Sequence, residues 1–210
     1  MGKVKEWGAE LWKHKNLILL SVVFLIIAIV LDLLSGNYTS KVDSGSATTD
    51  LILDHIPVVN LLPIYVYGML LVLAVGLLYP LFYKVKDLHK VISQFSLLVM
   101  IRSFFIILTH LKTPVDAVPL DKIPWFFDLV SFRNDLFFSG HTAVPFLIFL
   151  IFRKEKIGKF FLFMTIVLAA TVLLMHEHYS IDVFAAFFIT WGSFQIGEWL
   201  FRGINGYRRE

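Results

Sequence analysis

The chain has 210 residues, of which 58% are hydrophobic and 16% aromatic, and its mean hydropathy is +0.76. Because soluble domains are only about half apolar, this composition indicates an integral membrane protein with no separate soluble domain. The formal net charge of +3 gives no reason to expect a nucleic-acid partner. Cysteine is absent, which excludes disulfides, thiolate metal ligands and cysteine nucleophiles.

Six apolar segments follow one another along the chain. They cover residues 17–34, 62–83, 91–110, 137–152, 160–175 and 181–201. The fourth and fifth segments are near the lower length limit for crossing a hydrocarbon core of about 30 Å. We therefore predict an all-α bundle of six transmembrane helices that forms a single domain over residues 1–210, with its core at residues 17–201.

The positions of lysine and arginine predict the orientation of this bundle. Basic residues cluster before the first segment, between the second and third, between the fourth and fifth, and after the sixth. The other connections carry only Lys41, Lys112, Lys122 and Arg133. Since basic loops favour the cytoplasm, both termini are predicted to be cytoplasmic. The connections at residues 35–60 and 111–136 then face the extracytoplasmic or lumenal side.

A pair of ionisable residues stands in the short outer turn before the sixth segment. His178 and Asp182 are four residues apart, which on a helix places both side chains on one face. The carboxylate could hold one ring N–H of His178 and leave the other nitrogen as a nucleophile or base. The alternative is an ordinary ion pair or helix cap. Ionisable groups near bilayer depth are costly and usually functional, which favours the catalytic interpretation.

A second polar cluster opens the fourth segment, on the same predicted side of the membrane. In Ser139-Gly140-His141, glycine allows close approach of the backbone, and the N–H groups at a helix start attract an anion. Arg102, inside the third segment, could bind a lipid phosphate through two hydrogen bonds. A structural salt bridge to Asp182 or Asp54 is the alternative for this arginine.

Three further residues are candidates for accessory roles. Asp135, six residues before His141, could orient that imidazole or bind an acceptor hydroxyl, and could equally be a solvated loop charge. His176 and Glu177 are either helpers at the site or polar turn residues. We expect no metal and no cofactor, although a metal site at His176, His178 and Asp182, or a haem between the fourth and sixth segments, is an alternative.

Two stretches of the chain resemble a known family. "NDLFFSGHTA" and "HEHYSIDV" resemble the sphingomyelin synthase branch of the phosphatidic acid phosphatase type 2 (PAP2) superfamily, whose motifs read S-G-H-T and H-[ED]-H-Y-[TS]-[IV]-D-V. "IRSFFIILTHLKTP" and "LILDHIPVVNLLP" resemble other motifs of that branch more weakly. The resemblance covers residues 17–201.

The resemblance implies a lipid phosphotransferase. His178, oriented by Asp182, would attack phosphorus and form a phosphohistidine, and His141 would protonate the leaving alkoxide and then deprotonate the acceptor. Arg102 and the amides around Gly140 would stabilise the phosphoryl oxygens. The wider superfamily has a Ser-Arg pair shortly before its second histidine, where this chain has Thr171 and Val172. The arginine that binds phosphate must therefore come from elsewhere in the chain, which favours Arg102.

The substrates implied by the resemblance are lipids. A phosphocholine or phosphoethanolamine head group would pass from a glycerophospholipid to a ceramide-like alcohol, releasing diacylglycerol. Alternatives are a lipid phosphatase or phospholipase C-type hydrolase that uses water as acceptor, and a non-catalytic lipid-binding or scrambling protein. A homo-oligomer is left open.

Overall fold

The computed structural model describes residues 2–42, 46–120 and 136–201, and within them the regular structure is helical. The helices are α1 (Gly2–Thr39), α2 (Leu62–Tyr83), α3 (Val85–Leu108), α4 (Gly140–Phe152), α5 (Lys156–Leu174) and α6 (Ser180–Leu200). A short 3-10 helix at Leu53–His55 lies between α1 and α2. The prediction of an all-α protein is confirmed.

Four of the described helices, α1, α2, α3 and α5, are long and apolar enough to cross a membrane. The helix α4 has 13 residues, and α6, with 21 residues, is not among the four. This set of helices fits an integral membrane protein. The count of six spans and the cytoplasmic location of both termini stay predictions.

Two helices extend well beyond the apolar segments that predicted them. The first begins at Gly2 and ends at Thr39, and the third begins at Val85. The extensions contain lysine, glutamate, alanine and leucine, which are good helix formers whatever their polarity. Apolar length predicts the part of a helix inside the hydrocarbon core, whereas the helix itself continues through polar residues. As a result, Lys84 alone separates α2 from α3.

The helix α4 lies at the centre of the bundle. It packs against α5 and α6 and also contacts α2 and α3, while α1 packs along α3. Its two sides contribute to two apolar clusters, one shared with α2 and α5 and the other with α3 and α6. His141, the second residue of α4, therefore starts a helix that is enclosed by its neighbours.

The turn at residues 175–179, between α5 and α6, is fixed by the two long connections. The N–H of Val59 donates to the carbonyl of Leu174 at 2.7 Å, and the N–H of Val118 donates to the carbonyl of Met175 at 3.0 Å. The hydroxyl of Tyr179 donates to the carbonyl of Lys112 at 2.8 Å. These hydrogen bonds hold the turn that carries His178 in one position relative to the bundle.

Candidate active site

A direct backbone contact joins the two polar motifs. Ser139 is the N-cap of α4, and its N–H donates to the carbonyl oxygen of Asp182 in the first turn of α6 at 3.3 Å. The side chains of Ser139 and Asp182 are fully buried. Residues about forty positions apart in the sequence thus begin their helices side by side, which places the two histidine motifs at one end of the bundle.

His178 and Asp182 are in contact, but helical spacing does not create the contact. His178 lies before α6, which begins at Ser180. The carboxylate of Asp182 folds back over the helix start, where its Oδ2 accepts the N–H of Tyr179 at 3.1 Å and lies 3.4 Å from Nδ1 of His178. Both side chains are buried. The same carboxylate therefore caps the helix and can orient the imidazole, with Nε2 left for chemistry.

His141 presents an imidazole in a buried setting. Its ring stacks on Tyr65 of α2, with ring centroids 3.8 Å apart and planes inclined by 24°. Among the described residues, its Nε2 has no hydrogen-bond partner. The ring also lies within electrostatic reach of both His178 and Arg102. A ring nitrogen with no partner can give or take a proton in a reaction at this end of the bundle.

The guanidinium of Arg102 lies beside the start of α4. Its Nε donates to the carbonyl of Phe138 at 3.0 Å, and a Cβ added at Gly140 would be 3.7 Å from this Nε. Its Nη1 is 3.9 Å from Oδ1 of Asp32 in α1. The anticipated carboxylate partners were Asp182 and Asp54, whereas the structure pairs the arginine with Asp32.

The first turn of α4 is suited to an anion. An α-helix leaves its first amide N–H groups without partners inside the helix, and its N-terminus carries partial positive charge. Ser139 makes no side-chain cap, because its hydroxyl instead accepts a hydrogen bond from the hydroxyl of Thr142 at 3.3 Å. With Arg102 alongside, these amides around Gly140 could bind a phosphate group.

The accessory candidates are placed differently from one another. Asp135 lies outside the described residues. His176 has a φ of 54°, a left-handed conformation that is uncommon for a residue with a side chain, and it is buried in the turn. Burial raises the pKa of the neighbouring Glu177 to about 7, even though the charge of His178 opposes this rise.

A metal centre has no support from the described part of the chain. No group of three or more His, Asp or Glu side chains in it is arranged to hold a metal ion. The alternative of a metal bound by His176, His178 and Asp182 therefore finds no favourable geometry here.

Sequence reasoning missed three residues near the site: Asp32 pairs with Arg102, Tyr65 stacks on His141, and Asp50 accepts the N–H of Ser180 at the start of α6. Asp32 could have been found, because it is the one charged residue in the apolar segment 17–34, and such a residue needs a partner of opposite charge. Tyr65 gives no comparable signal in a segment where aromatic residues are common. Asp50 stands among several polar loop residues and is equally inconspicuous.

Residues 134–199 match a family model described as PAP2 superfamily C-terminal. The match supports the PAP2 superfamily. No curated protein matches the chain. The matched part contains His141, His178 and Asp182 and suggests the activity of a lipid phosphatase or phosphotransferase. The match does not extend to the narrower sphingomyelin synthase branch.

Replacing Asp32 with asparagine should destabilise the protein. The substitution leaves the mostly buried Arg102 without the nearby carboxylate, and loss of one member of a buried ion pair is costly. Since the two groups are 3.9 Å apart and are not fully buried, we expect a loss of about 1–2 kcal/mol, less than for a close, fully buried pair. Thermal unfolding in detergent measures the effect, with the exposed Asp54→Asn variant as control. Equal midpoints for the two variants would contradict a stabilising role of Asp32.

Glu177 should make stability depend on pH in a defined direction. Its folded pKa of about 7 exceeds the ordinary value of 4.5, so the folded protein retains a proton that the unfolded chain loses. The stabilisation of the folded protein by protonated Glu177 is therefore fully present below pH 4.5 and is lost as the pH rises through 7. Over this range the midpoint of the wild type should fall relative to that of Glu177→Gln. Parallel curves for the two proteins would show that Glu177 ionises normally.

Proposed function

We propose that the protein is a sphingomyelin synthase-like lipid phosphotransferase. It transfers a phosphocholine or phosphoethanolamine head group from a glycerophospholipid to a ceramide-like alcohol and releases diacylglycerol. The observation that carries the proposal is the hydrogen bond from Ser139 to Asp182, because it brings the start of α4, with His141, to the His178–Asp182 pair. The family match over residues 134–199 is independent support.

The first half of the reaction would use both imidazoles. Nε2 of His178 attacks phosphorus while Asp182 holds the proton on Nδ1, and the bond between phosphorus and the diacylglycerol oxygen breaks. The leaving alkoxide takes a proton from the protonated ring of His141. The products are diacylglycerol and a head-group phosphate linked to His178, with His141 now neutral.

The second half would reverse these roles. Neutral His141 takes the proton of the acceptor hydroxyl, whose oxygen attacks phosphorus and displaces Nε2 of His178. Both histidines return to their starting protonation states. Throughout, Arg102 and the amides around Gly140 would stabilise the charge on the phosphoryl oxygens, usually the largest electrostatic contribution to such a reaction.

The membrane arrangement of the proposal follows the positive-inside rule. Six spans with both termini in the cytoplasm would place the starts of α4 and α6 on the extracytoplasmic or lumenal side. The enzyme would then act on phospholipids of that leaflet. The apolar surface of α1, with exposed side chains such as Leu19, Ile26 and Leu34, is suited to contact with lipid.

A product assay tests this function. Purified protein in vesicles receives phosphatidylcholine or phosphatidylethanolamine labelled in the head group, with or without ceramide. We expect label in a new sphingolipid only when ceramide is present. If water-soluble labelled head group forms equally with and without ceramide, the protein is a hydrolase of the same superfamily and not a transferase. No release from any lipid phosphate would contradict an enzyme of this class.

A further inference from the structure

A cavity of about 280 Å³ lies beside the start of α6, outside the group of residues assigned to phosphate chemistry. Its walls come from the first long connection, from the second, and from the helix start. Its lining includes Thr48, Thr49, Asp50, Leu111, Tyr179 and Ser180. Tyr179 and Ser180, which line the cavity, directly follow His178, the nucleophile of the proposed reaction, in the chain.

Asp50 supplies the charge of this cavity. It is 9% exposed, and its Oδ2 accepts the N–H of Ser180 at 2.7 Å. Its Oδ1 accepts the N–H groups of Ile52 and Leu53 at 2.9 Å and 3.1 Å. Burial alone would raise the pKa of Asp50, but these N–H donors outweigh burial and hold the pKa below its ordinary value. The carboxylate is therefore ionised at neutral pH.

The amide bonded by Asp50 is the immediate neighbour of the amide bonded by Asp182. Asp182 accepts from the N–H of Tyr179, and Asp50 accepts from the N–H of Ser180. One carboxylate thus faces the imidazole of His178, and the other faces the cavity. The residues bonded by the two carboxylates are therefore consecutive in the chain and follow His178 directly.

The charges around the cavity select the sign of its ligand. Among the described residues that line it, none is positively charged, and Asp50 is the one acidic side chain. Lys112 contributes its backbone carbonyl to Tyr179 without lining the cavity. A cation is therefore attracted and a second phosphate is repelled.

We propose that this cavity is the subsite for the positively charged end of the donor head group, with Asp50 as the residue that sets head-group specificity. The inference rests on the proposed function and adds the assignment of a second binding region. Because the acceptor positions of Asp50 are largely occupied by N–H donors, it acts on the cation through charge. Choline and ethanolamine head groups should therefore both depend on it, whereas phosphatidic acid should not.

Charge variants of the full-length protein test the subsite. Asp50→Asn removes the charge, and Thr49→Lys adds a cation at the exposed rim without altering the hydrogen bonds of Asp50. We expect Thr49→Lys to lower the ratio of kcat/KM for phosphatidylcholine over phosphatidic acid by about three- to fivefold, the upper part of the range for one exposed charge pair. Asp50→Asn should lower it further. Val115→Lys adds the same charge to the 87% exposed Val115, outside the cavity, and is the matched control.

Binding provides a measurement that does not depend on turnover. An alkylphosphonocholine and the matching alkylphosphonate carry a carbon–phosphorus bond in place of the cleaved ester, so both can be titrated without reaction. The preference for the phosphonocholine should fall in Thr49→Lys and persist in Val115→Lys. Unchanged preference in both Thr49→Lys and Asp50→Asn would overturn the subsite even if the enzyme is active. If the preference for the phosphonocholine shifts as expected but the protein shows no turnover, the result supports the subsite and contradicts the proposed function.

Discussion

Alanine at position 178 is expected to abolish head-group transfer, with kcat/KM reduced by at least about 10³-fold. In the proposed reaction His178 forms the bond to phosphorus, and its imidazole is oriented by Asp182, 3.4 Å from Nδ1. The expected loss corresponds to about 4 kcal/mol of transition-state stabilisation. Initial rates with head-group-labelled phosphatidylcholine measure it.

His55 offers a matched control for this variant. It lies in the first long connection, it is exposed, and its Nδ1 is 2.8 Å from the backbone carbonyl of Leu51. His55→Ala should keep the wild-type rate within about twofold, as is usual for exposed positions. Retention of transfer by His178→Ala would exclude the phosphohistidine and favour a different role for the site, such as lipid binding or scrambling.

Alanine in place of His141 is expected to lower the rate with natural phospholipid by about 10²- to 10⁴-fold, the usual contribution of a general acid and base. The size of the loss should depend on the leaving group. An alkoxide needs a proton to leave, whereas nitrophenolate leaves without one. With nitrophenyl phosphocholine, formation of the covalent intermediate should therefore be largely spared in His141→Ala, and its later reaction with the acceptor should stay slow.

The leaving-group comparison separates chemistry from packing. His141 stacks on Tyr65, so its removal could also disturb the bundle. A purely structural defect would lower the rates with both leaving groups equally. An equal loss would therefore contradict the role of His141 as general acid, and a thermal midpoint near that of the wild type would show that the variant is folded.

The apolar pattern was sufficient for the helices but not for all of their ends. The predicted segment 62–83 coincides with α2, since polar or turn-forming residues flank it on both sides. The predicted segment 17–34 covers only the apolar half of α1, because helix propensity continues through the lysines before it. The starts of α4 and α6 were recognisable from the polar motifs themselves.

The site was partly accessible from local sequence, since His141, His178 and Asp182 lie in short polar stretches between apolar runs. The contact between His178 and Asp182 was expected from helical spacing, but it depends on a carboxylate that folds back across a helix start. The contacts that site residues make with distant parts of the chain could not be predicted from the sequence. Arg102 meets Asp32 and Ser180 meets Asp50 only after the chain has folded, and no local pattern specifies which residues the packing will bring together.

Trapping the covalent intermediate tests the central claim most directly. His141→Ala is mixed with nitrophenyl phosphocholine, quenched at alkaline pH where a phosphorus–nitrogen bond to histidine survives, and digested for mass spectrometry. The account predicts phosphocholine on the peptide that contains His178, close to one per active protein, and none in the double variant with His178→Ala. Release of nitrophenol with no modified histidine, or with the group on another residue, would contradict it.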